Sequence, residues 1–401
     1  MSSYGRSPLN RAGVCCLALL GLAVSPAQGM ESLLTDPNFQ IHGFLTQAYV
    51  KTNHNRFFGN SEDGSFDFRE IGINASYRLN PSLMASAQLL SRAAGDMYDA
   101  SPSVDYAQLD YTFLMSETGR YGTLIGRSKN PFGLYNDTRD VAATRPGIFM
   151  PQAIYWDRVR NMVLATDGVQ VYAEHSSGMH RFNLQLIAGK TPIDENVEKT
   201  YLDPMLNASM EQDGVTTGGR LLYEWDGGRV RLALSNAMLK LDSHTSLLPP
   251  GQVDIDYWVL SAQYNQDRWR LTGEYMEEPL DYRGFGNTLD IADTTVNGYY
   301  VQGDYRLNAD WELLLRYEES HYNKNDPSGK RMSALTGLPA YTFYSRLWTT
   351  GLLWEPTENL MLRAEFSRVK GDIFLSNLEN PVPADRARDW NLFSLLVSYS
   401  F

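Results

Sequence analysis

Residues able to do acid–base, nucleophilic or metal chemistry are few in this chain and badly spaced for it. Six histidines, His42, His54, His175, His180, His244 and His321, lie scattered. No His-Glu-x-x-His pattern and no cysteine cluster is present to hold a metal. His175 directly precedes Ser176, but consecutive strand residues point to opposite faces, so adjacency does not build a nucleophile–base pair. His175 and His180 bracket a short turn and read as two solvated turn residues. Gly218–Gly219 and Gly227–Gly228 are turn glycines outside any phosphate-loop pattern. The expectation is therefore no catalytic residue, no metal and no cofactor: not an enzyme. The chemistry that remains is electrostatic.

Charges recur at every second position. Trp311, Leu313, Leu315 and Tyr317 alternate with Glu312, Leu314, Arg316 and Glu318. Leu360, Leu362, Ala364 and Phe366 alternate with Met361, Arg363, Glu365 and Ser367, and Trp269, Leu271 and Tyr275 oppose Arg270, Thr272 and Glu274. Period two is the strand period. A charge on a lipid-facing position near the midplane costs roughly 2–4 kcal/mol, so the charged faces must turn to a wet interior and the apolar faces to lipid. The final strand shows the same design: Phe393, Leu395, Val397, Tyr399 and Phe401 on one side, Ser394, Ser398 and Ser400 on the other, with Leu396 an apolar intruder. A strand can end a chain this way when the sheet closes and leaves no edge. Segment 342–355 is less clean: Trp348 and Trp354 share a side with Arg346, which points to a bulge.

About sixteen such segments are legible, near 39–50, 66–79, 83–93, 104–115, 121–129, 167–175, 180–189, 217–225, 229–238, 256–266, 268–277, 297–306, 311–320, 342–355, 359–370 and 390–401. Tight turn chemistry, as at Asn80-Pro81, Asp226-Gly227 and Asn308, alternates strictly with longer connections. The pattern predicts an all-β fold, a transmembrane antiparallel β-barrel of about sixteen strands with short periplasmic turns and long extracellular loops. Tyr77, Trp225, Tyr264, Trp269, Tyr305 and Trp311 flank the short turns, where an aromatic girdle belongs.

The chain opens with an export signal. Arg6 and Arg11 precede an apolar run from Val14 to Val24, too short to span a bilayer, and small residues follow for cleavage after Gly29. The expected division is a cleaved signal, 1–29, and one barrel domain, 30–401. Cys15 and Cys16 leave with the signal, which removes disulfide and thiol chemistry from the mature chain. The signal also takes two arginines and no acid, so the formal charge of −12 becomes −14. Such acidity excludes nucleic acid as a partner.

The most distinctive stretch runs from Gly126 to Asp157 and opens the longest connection, 130–166. Pro131, Pro146 and Pro151 stiffen it, and Ile148, Phe149, Met150, Ile154, Tyr155 and Trp156 are too apolar to stand in solvent. Folding inward against the barrel wall hides them, and Asp137, Arg139, Asp140 and Arg145 then narrow the channel. Together with Gly64 to Tyr77, this stretch resembles a largely uncharacterised porin family of Gram-negative bacteria, close to the general and phosphate-selective-like porins of sixteen strands. The terminal Phe401 is similar to the insertion signal of outer-membrane barrels. The resemblance implies a homotrimer of water-filled barrels in the cell outer membrane, each with its third long loop folded into the lumen. It also implies a field between loop acids and wall bases. Matching wall bases are Arg78, Arg92, Arg127 and Lys129, with Arg316 and Arg363 from across the barrel. This loop carries both signs, which departs from a clean acid-against-base constriction. The expected activity is passive diffusion of small hydrophilic solutes and ions. A substrate-specific channel for an anion or small organic solute is the alternative, ahead of a barrel enzyme or a plugged structural barrel. Expected surroundings are outer-membrane lipid and lipopolysaccharide, with both termini periplasmic.

Overall fold

The computed structural model describes residues 36–202, 208–245, 247–286 and 294–401; the expected signal segment lies outside them. Sixteen strands form one closed antiparallel barrel in chain order. They are β1 (Phe39–Thr52), β2 (Ser65–Asn80), β3 (Leu83–Ala94), β4 (Asp99–Met115), β5 (Gly119–Lys129), β6 (Ala165–Ser177), β7 (His180–Lys190) and β8 (Ser209–Trp225). The second half continues with β9 (Val230–His244), β10 (Gly251–Asn265), β11 (Trp269–Arg283), β12 (Thr294–Arg306), β13 (Trp311–His321), β14 (Tyr344–Thr357), β15 (Leu360–Gly371) and β16 (Asp389–Ser400). Every segment anticipated from alternation is a strand. Short turns gather at one end of the barrel, and the longer connections gather at the other.

The two faces separate as the alternation requires. Leu395, Val397 and Tyr399 are exposed on the outer wall, whereas Ser394, Leu396 and Ser398 are buried inside. The seam closes where β1 pairs with β16 from Phe44↔Ser400 to Thr52↔Leu392, and Thr46 Oγ1 and Ser398 Oγ meet across it at 2.8 Å. Leu396, odd by pattern, packs in an interior apolar cluster with Phe57, Phe58, Phe149 and Trp390.

Two details differ from the pattern reading. Several strands reach further toward the long-loop end than alternation predicts, most of all β8, which begins at Ser209, and β11, which ends at Arg283. Their outward residues there, such as Asp213, Asp242 and Asp281, are charged, so apolar alternation fades before the sheet does. In β14, Arg346, Trp348 and Trp354 all lie in regular register with β13; the only register shift falls between Trp354 and Thr357, in the pairing with β15. Arg346 tolerates its outward position because its Nε donates to Glu319 at 2.6 Å.

The chain end is built into the seam. The Phe401 and Gly43 backbones exchange both N–H···O bonds at 3.0 Å. The Phe401 ring covers Gly43 so closely that a Cβ there would stand 2.5 Å from the ring edge. An aromatic ring over a glycine of the neighbouring strand fills the gap the glycine leaves. Changing Phe401 to Ser removes the cover, and deleting it removes the two closing hydrogen bonds as well. The yield of heat-modifiable, folded barrel should fall while export across the inner membrane continues. An undiminished folded yield on gel-shift assay would show that the seam closes without it.

Candidate channel constriction

Past Lys129 the chain leaves the wall and does not return until Ala165. Segment 130–164 turns inward through short helical turns at Asn136–Thr138, Ala142–Thr144 and Asp157–Val159, then enters β6 through α1 (Arg160–Leu164). The Pro151 carbonyl accepts from Ile154 N and Tyr155 N at 3.1 and 2.9 Å, tightening the middle of the loop. Its apolar residues are the reason it enters: Ile148, Phe149, Met150, Ile154, Tyr155 and Trp156 are all buried. Taking them out of water stabilises the folded loop by roughly 25 cal/mol per Å².

On one side the loop meets the β2–β5 wall through an ion-pair network. Glu70 on β2 accepts from Arg92 Nε on β3 at 3.1 Å and from Arg145 of the loop. Asp157 accepts from Arg92 Nη2 at 2.9 Å and from Arg139 at 3.3 Å. Asp140 accepts from both Lys129 and Arg160. Lys129 also reaches Asp105 on β4 at 2.5 Å. Five cations thus face four carboxylates, and no side chain among them is more than 11 % exposed. The Arg92 guanidinium lies 4.8 Å from the Tyr98 ring centre and 5.4 Å from that of Phe68, which seals it from water.

Burial alone would push the loop carboxyls up. For Asp140 the neighbouring Lys129 and Arg160 overcome that and hold the carboxyl well below the usual aspartate range. Asp157 is likewise held low against burial by Arg92, Arg139 and Arg160. Burial pushes the Arg139 guanidinium down to about 10, still charged at neutral pH.

On the far side the wall grips the loop backbone. Glu365 on β15 accepts from Ile148 N at 2.7 Å, and Glu318 on β13 from Ala153 N at 3.2 Å. Glu274 on β11 accepts from Leu134 N at 2.9 Å and from the Tyr155 and Tyr300 hydroxyls, both at 2.8 Å. Donors on the wall answer the loop carbonyls: Arg220 to Gly133 O at 2.9 Å, Gln302 to Pro146 O at 2.8 Å, Tyr257 to Ile154 O at 2.6 Å and Arg363 to Arg145 O at 3.3 Å. An irregular backbone away from water must find such partners.

The residues singled out from sequence do not all come together. Arg139, Asp140 and Arg145 come together with Arg92 and Lys129 in the network; Asp137 lies apart, bound to Arg220 at 2.8 Å. Arg316 and Arg363 are inside across the lumen, where Arg316 pairs with Glu318 at 2.7 Å and packs against Gly147. Arg78 has the inward parity of Glu70 but stands exposed at the short-turn end of β2. Arg127 does not line the lumen: it pairs with Asp167 at 2.7 Å on the outer face shared by Ile125 and Val169. Glu70, Asp105, Asp157 and Arg160 complete the network; strand alternation turns Glu70 inward, whereas no sequence signal marks the other three. Asp105 turns inward only because register shifts in the β3–β4 pairing reset the parity of β4. His175 and His180 contact separate tyrosines, Tyr121 at 3.4 Å and Tyr223 at 2.8 Å.

No curated protein sequence matches the chain. Among solved structures, the outer membrane channel DcaP of Acinetobacter baumannii superposes with a TM-score of 0.58 at 13% identity, over 90% of this chain and 97% of that one. The anion-selective porin from Comamonas acidovorans gives 0.56 at 14% identity, over 90% and 99%. OmpT of Vibrio cholerae, an outer-membrane protein, gives 0.55 at 13%, over 90% and 97%. These likenesses are of the fold. Residues 39–380 match the family described as phosphate-selective porin O and P. The chain therefore belongs to that family: it is a porin of the outer membrane, a barrel channel for passive diffusion.

Proposed function

We propose that this porin passes small hydrophilic solutes and ions without chemical change, through a lumen narrowed by a fixed loop, segment 130–164. The single observation that supports this is the double anchoring of that loop, ion pairs on one wall and backbone hydrogen bonds on the other. The constriction set is Asp137, Arg139, Asp140 and Arg145 from the loop, with Arg92, Lys129, Arg316 and Arg363 from the wall. All of these but Arg363 stand in ion pairs, so most of the charge a passing ion would meet is already taken up. Catalysis is no part of this reading. The porin would work as a homotrimer, with its short turns and both termini periplasmic and its outer wall among lipid and lipopolysaccharide. Trimeric forms exist among structural neighbours, one of them OmpT of Vibrio cholerae.

A second reading, preference for anions, is favoured by Arg158. Its guanidinium stacks 4.2 Å from the Trp156 ring centre, its Nε has no hydrogen-bond partner, and no carboxylate among the described residues lies within ion-pair reach. Burial pushes it down to about 10, so it stays charged at neutral pH. One uncompensated cation in a low-dielectric constriction biases which ions enter.

Single-channel recording across a salt gradient tests both readings. The wild type should conduct without saturation and with a small reversal potential; Arg158→Gln should move that potential toward cation preference. Saturating flux would point to a substrate-specific channel, and an unmoved potential would remove Arg158 from the ion path.

Orientation is tested with epitope tags on intact cells. A tag after Gly337 should be labelled and one in the Asp226–Gly227 turn should not; the reverse pattern would invert the barrel.

The anchoring makes a third prediction. Asp157→Asn leaves Arg92 and Arg139 short of a buried partner, which costs about 3–5 kcal/mol. The barrel should still shift on heating, while segment 130–164 becomes open to protease and the current noisy. In the wild type, Asp140 and Asp157 are held below their unfolded value of about 3.9. Their contribution is therefore complete above that value and is lost as pH falls through their depressed folded values. Loop protection should stay constant from about pH 5 to 8 and fail only in stronger acid. Loss of protection already near neutrality would show that other groups hold the loop.

A further inference from the structure

The outer wall at the long-loop end is not evenly charged. Cross-strand register sets outward residues of β14 and β15 in rows: Arg346 beside Lys370, then Trp348 beside Arg368, then Thr350 beside Phe366. Phe366 in turn faces Phe393 on β16. The rows grade from charged at the rim, through an aromatic residue and a cation, to apolar. That is the profile of a wall crossing from headgroups into hydrocarbon.

Glu319 accounts for Arg346, which also lies 5.1 Å from the Tyr344 ring centre. Arg368 and Lys370 are exposed and form no ion pair among the described residues. Asp389, directly across the strand pair from Lys370, is turned to Arg388 at 2.6 Å instead. Direct neighbours across a strand pair stand about 5 Å apart, and same-face neighbours along a strand about 6.6 Å. Three cations therefore crowd one patch of a chain whose formal charge is −12. Elsewhere on the same rim the outer face turns acidic, with Asp242, Asp254, Asp256 and Asp281 against Lys240 and Arg283. The basic patch is local.

We propose that this patch binds the phosphorylated headgroup of a glycolipid in the outer leaflet. Arg368 and Lys370 grip a phosphate, Arg346 braced by Glu319 forms the third corner, and acyl chains lie along Phe366 and Phe393. A guanidinium offers phosphate a fork of two donors, and Trp348 sits where an amphipathic ring is stable between headgroup and hydrocarbon. Like charges crowded beside hydrocarbon repel one another, and an anionic headgroup relieves this. The proposal rests on the long-loop end facing the outer leaflet.

The test uses the folded barrel in neutral detergent, with diphosphorylated lipid A as probe and native mass spectrometry as readout. The barrel should retain this lipid and release the same lipid stripped of its phosphates. In a double variant, Arg368→Gln with Lys370→Gln, retention should weaken by roughly tenfold to thirtyfold. Heat-modifiability and conductance should stay unchanged, because both side chains point away from the lumen and hold no partner. Asp254→Asn with Asp256→Asn, on the acidic arc, should not weaken it. Equal retention of the stripped lipid, or an unaffected double variant, overturns the site. Displacement of the lipid by millimolar inorganic phosphate also overturns it, in favour of a free-anion site. Micelles impose no orientation, so failure here strikes the site, and failure of the tag experiment strikes the orientation.

Discussion

The ion-pair network tying Asp140, Arg145 and Asp157 to Glu70, Arg92 and Lys129 is the interaction on which the shape of the lumen depends. Its net contribution to stability is small, because ionic groups removed from water lose about as much hydration as they gain in attraction. Its value lies in the asymmetry. Arg92 and Glu70 keep each other, but a shifted loop would part Arg145 from Glu70, Asp157 from Arg92 and Asp140 from Lys129, leaving buried ions short of partners, and that state is costly. The network therefore discriminates between loop positions far more than it stabilises the barrel. Without it, the apolar run from Ile148 to Trp156 could be hidden in several ways, since apolar burial is not directional.

The opposite wall solves a different problem. A loop of irregular backbone inside a barrel has N–H and C=O groups that no sheet ladder satisfies. Glu274, Glu318 and Glu365, on three alternate strands, accept those N–H groups. Arg220, Gln302, Tyr257 and Arg363 answer the carbonyls. The same side chains that make the interior wet by sequence pattern are those that hold the loop. Few of them remain as free charges for a solute to meet. Here packing and permeation are in direct competition for the same groups, and packing takes most of them.

Strand number, face polarity and the inward course of the loop were legible because each depends on local pattern: period two for the wall, an apolar run between prolines for the loop. The identity of the charge partners was not. Glu70 and Arg145 are 75 positions apart in sequence and meet only because the loop folds back onto the β2–β5 wall. Parity itself misleads where the sheet is irregular. Asp105 points inward past a register shift, and Arg127 points outward although it stands two residues before Lys129, which reaches inward at the strand end. Long-range register and local irregularity are what a single sequence withholds.

The charge of the whole chain now has an address. Inside the barrel most basic and acidic side chains are paired, and buried acids without a cation, such as Glu274 and Glu365, are held by backbone N–H or hydroxyl donors. The excess of acid must lie where water or lipid headgroups can screen it, and the acidic arc of Asp242, Asp254, Asp256 and Asp281 at the long-loop rim is such a place. Against that background, two unpaired cations on β15 run counter to the field of the molecule. Screening by water would satisfy Arg368 and Lys370 individually, but it does not explain why both sit on one strand face above Phe366, beside Arg346. A partner carrying negative charge at its head and hydrocarbon below it matches that order of residues along the wall.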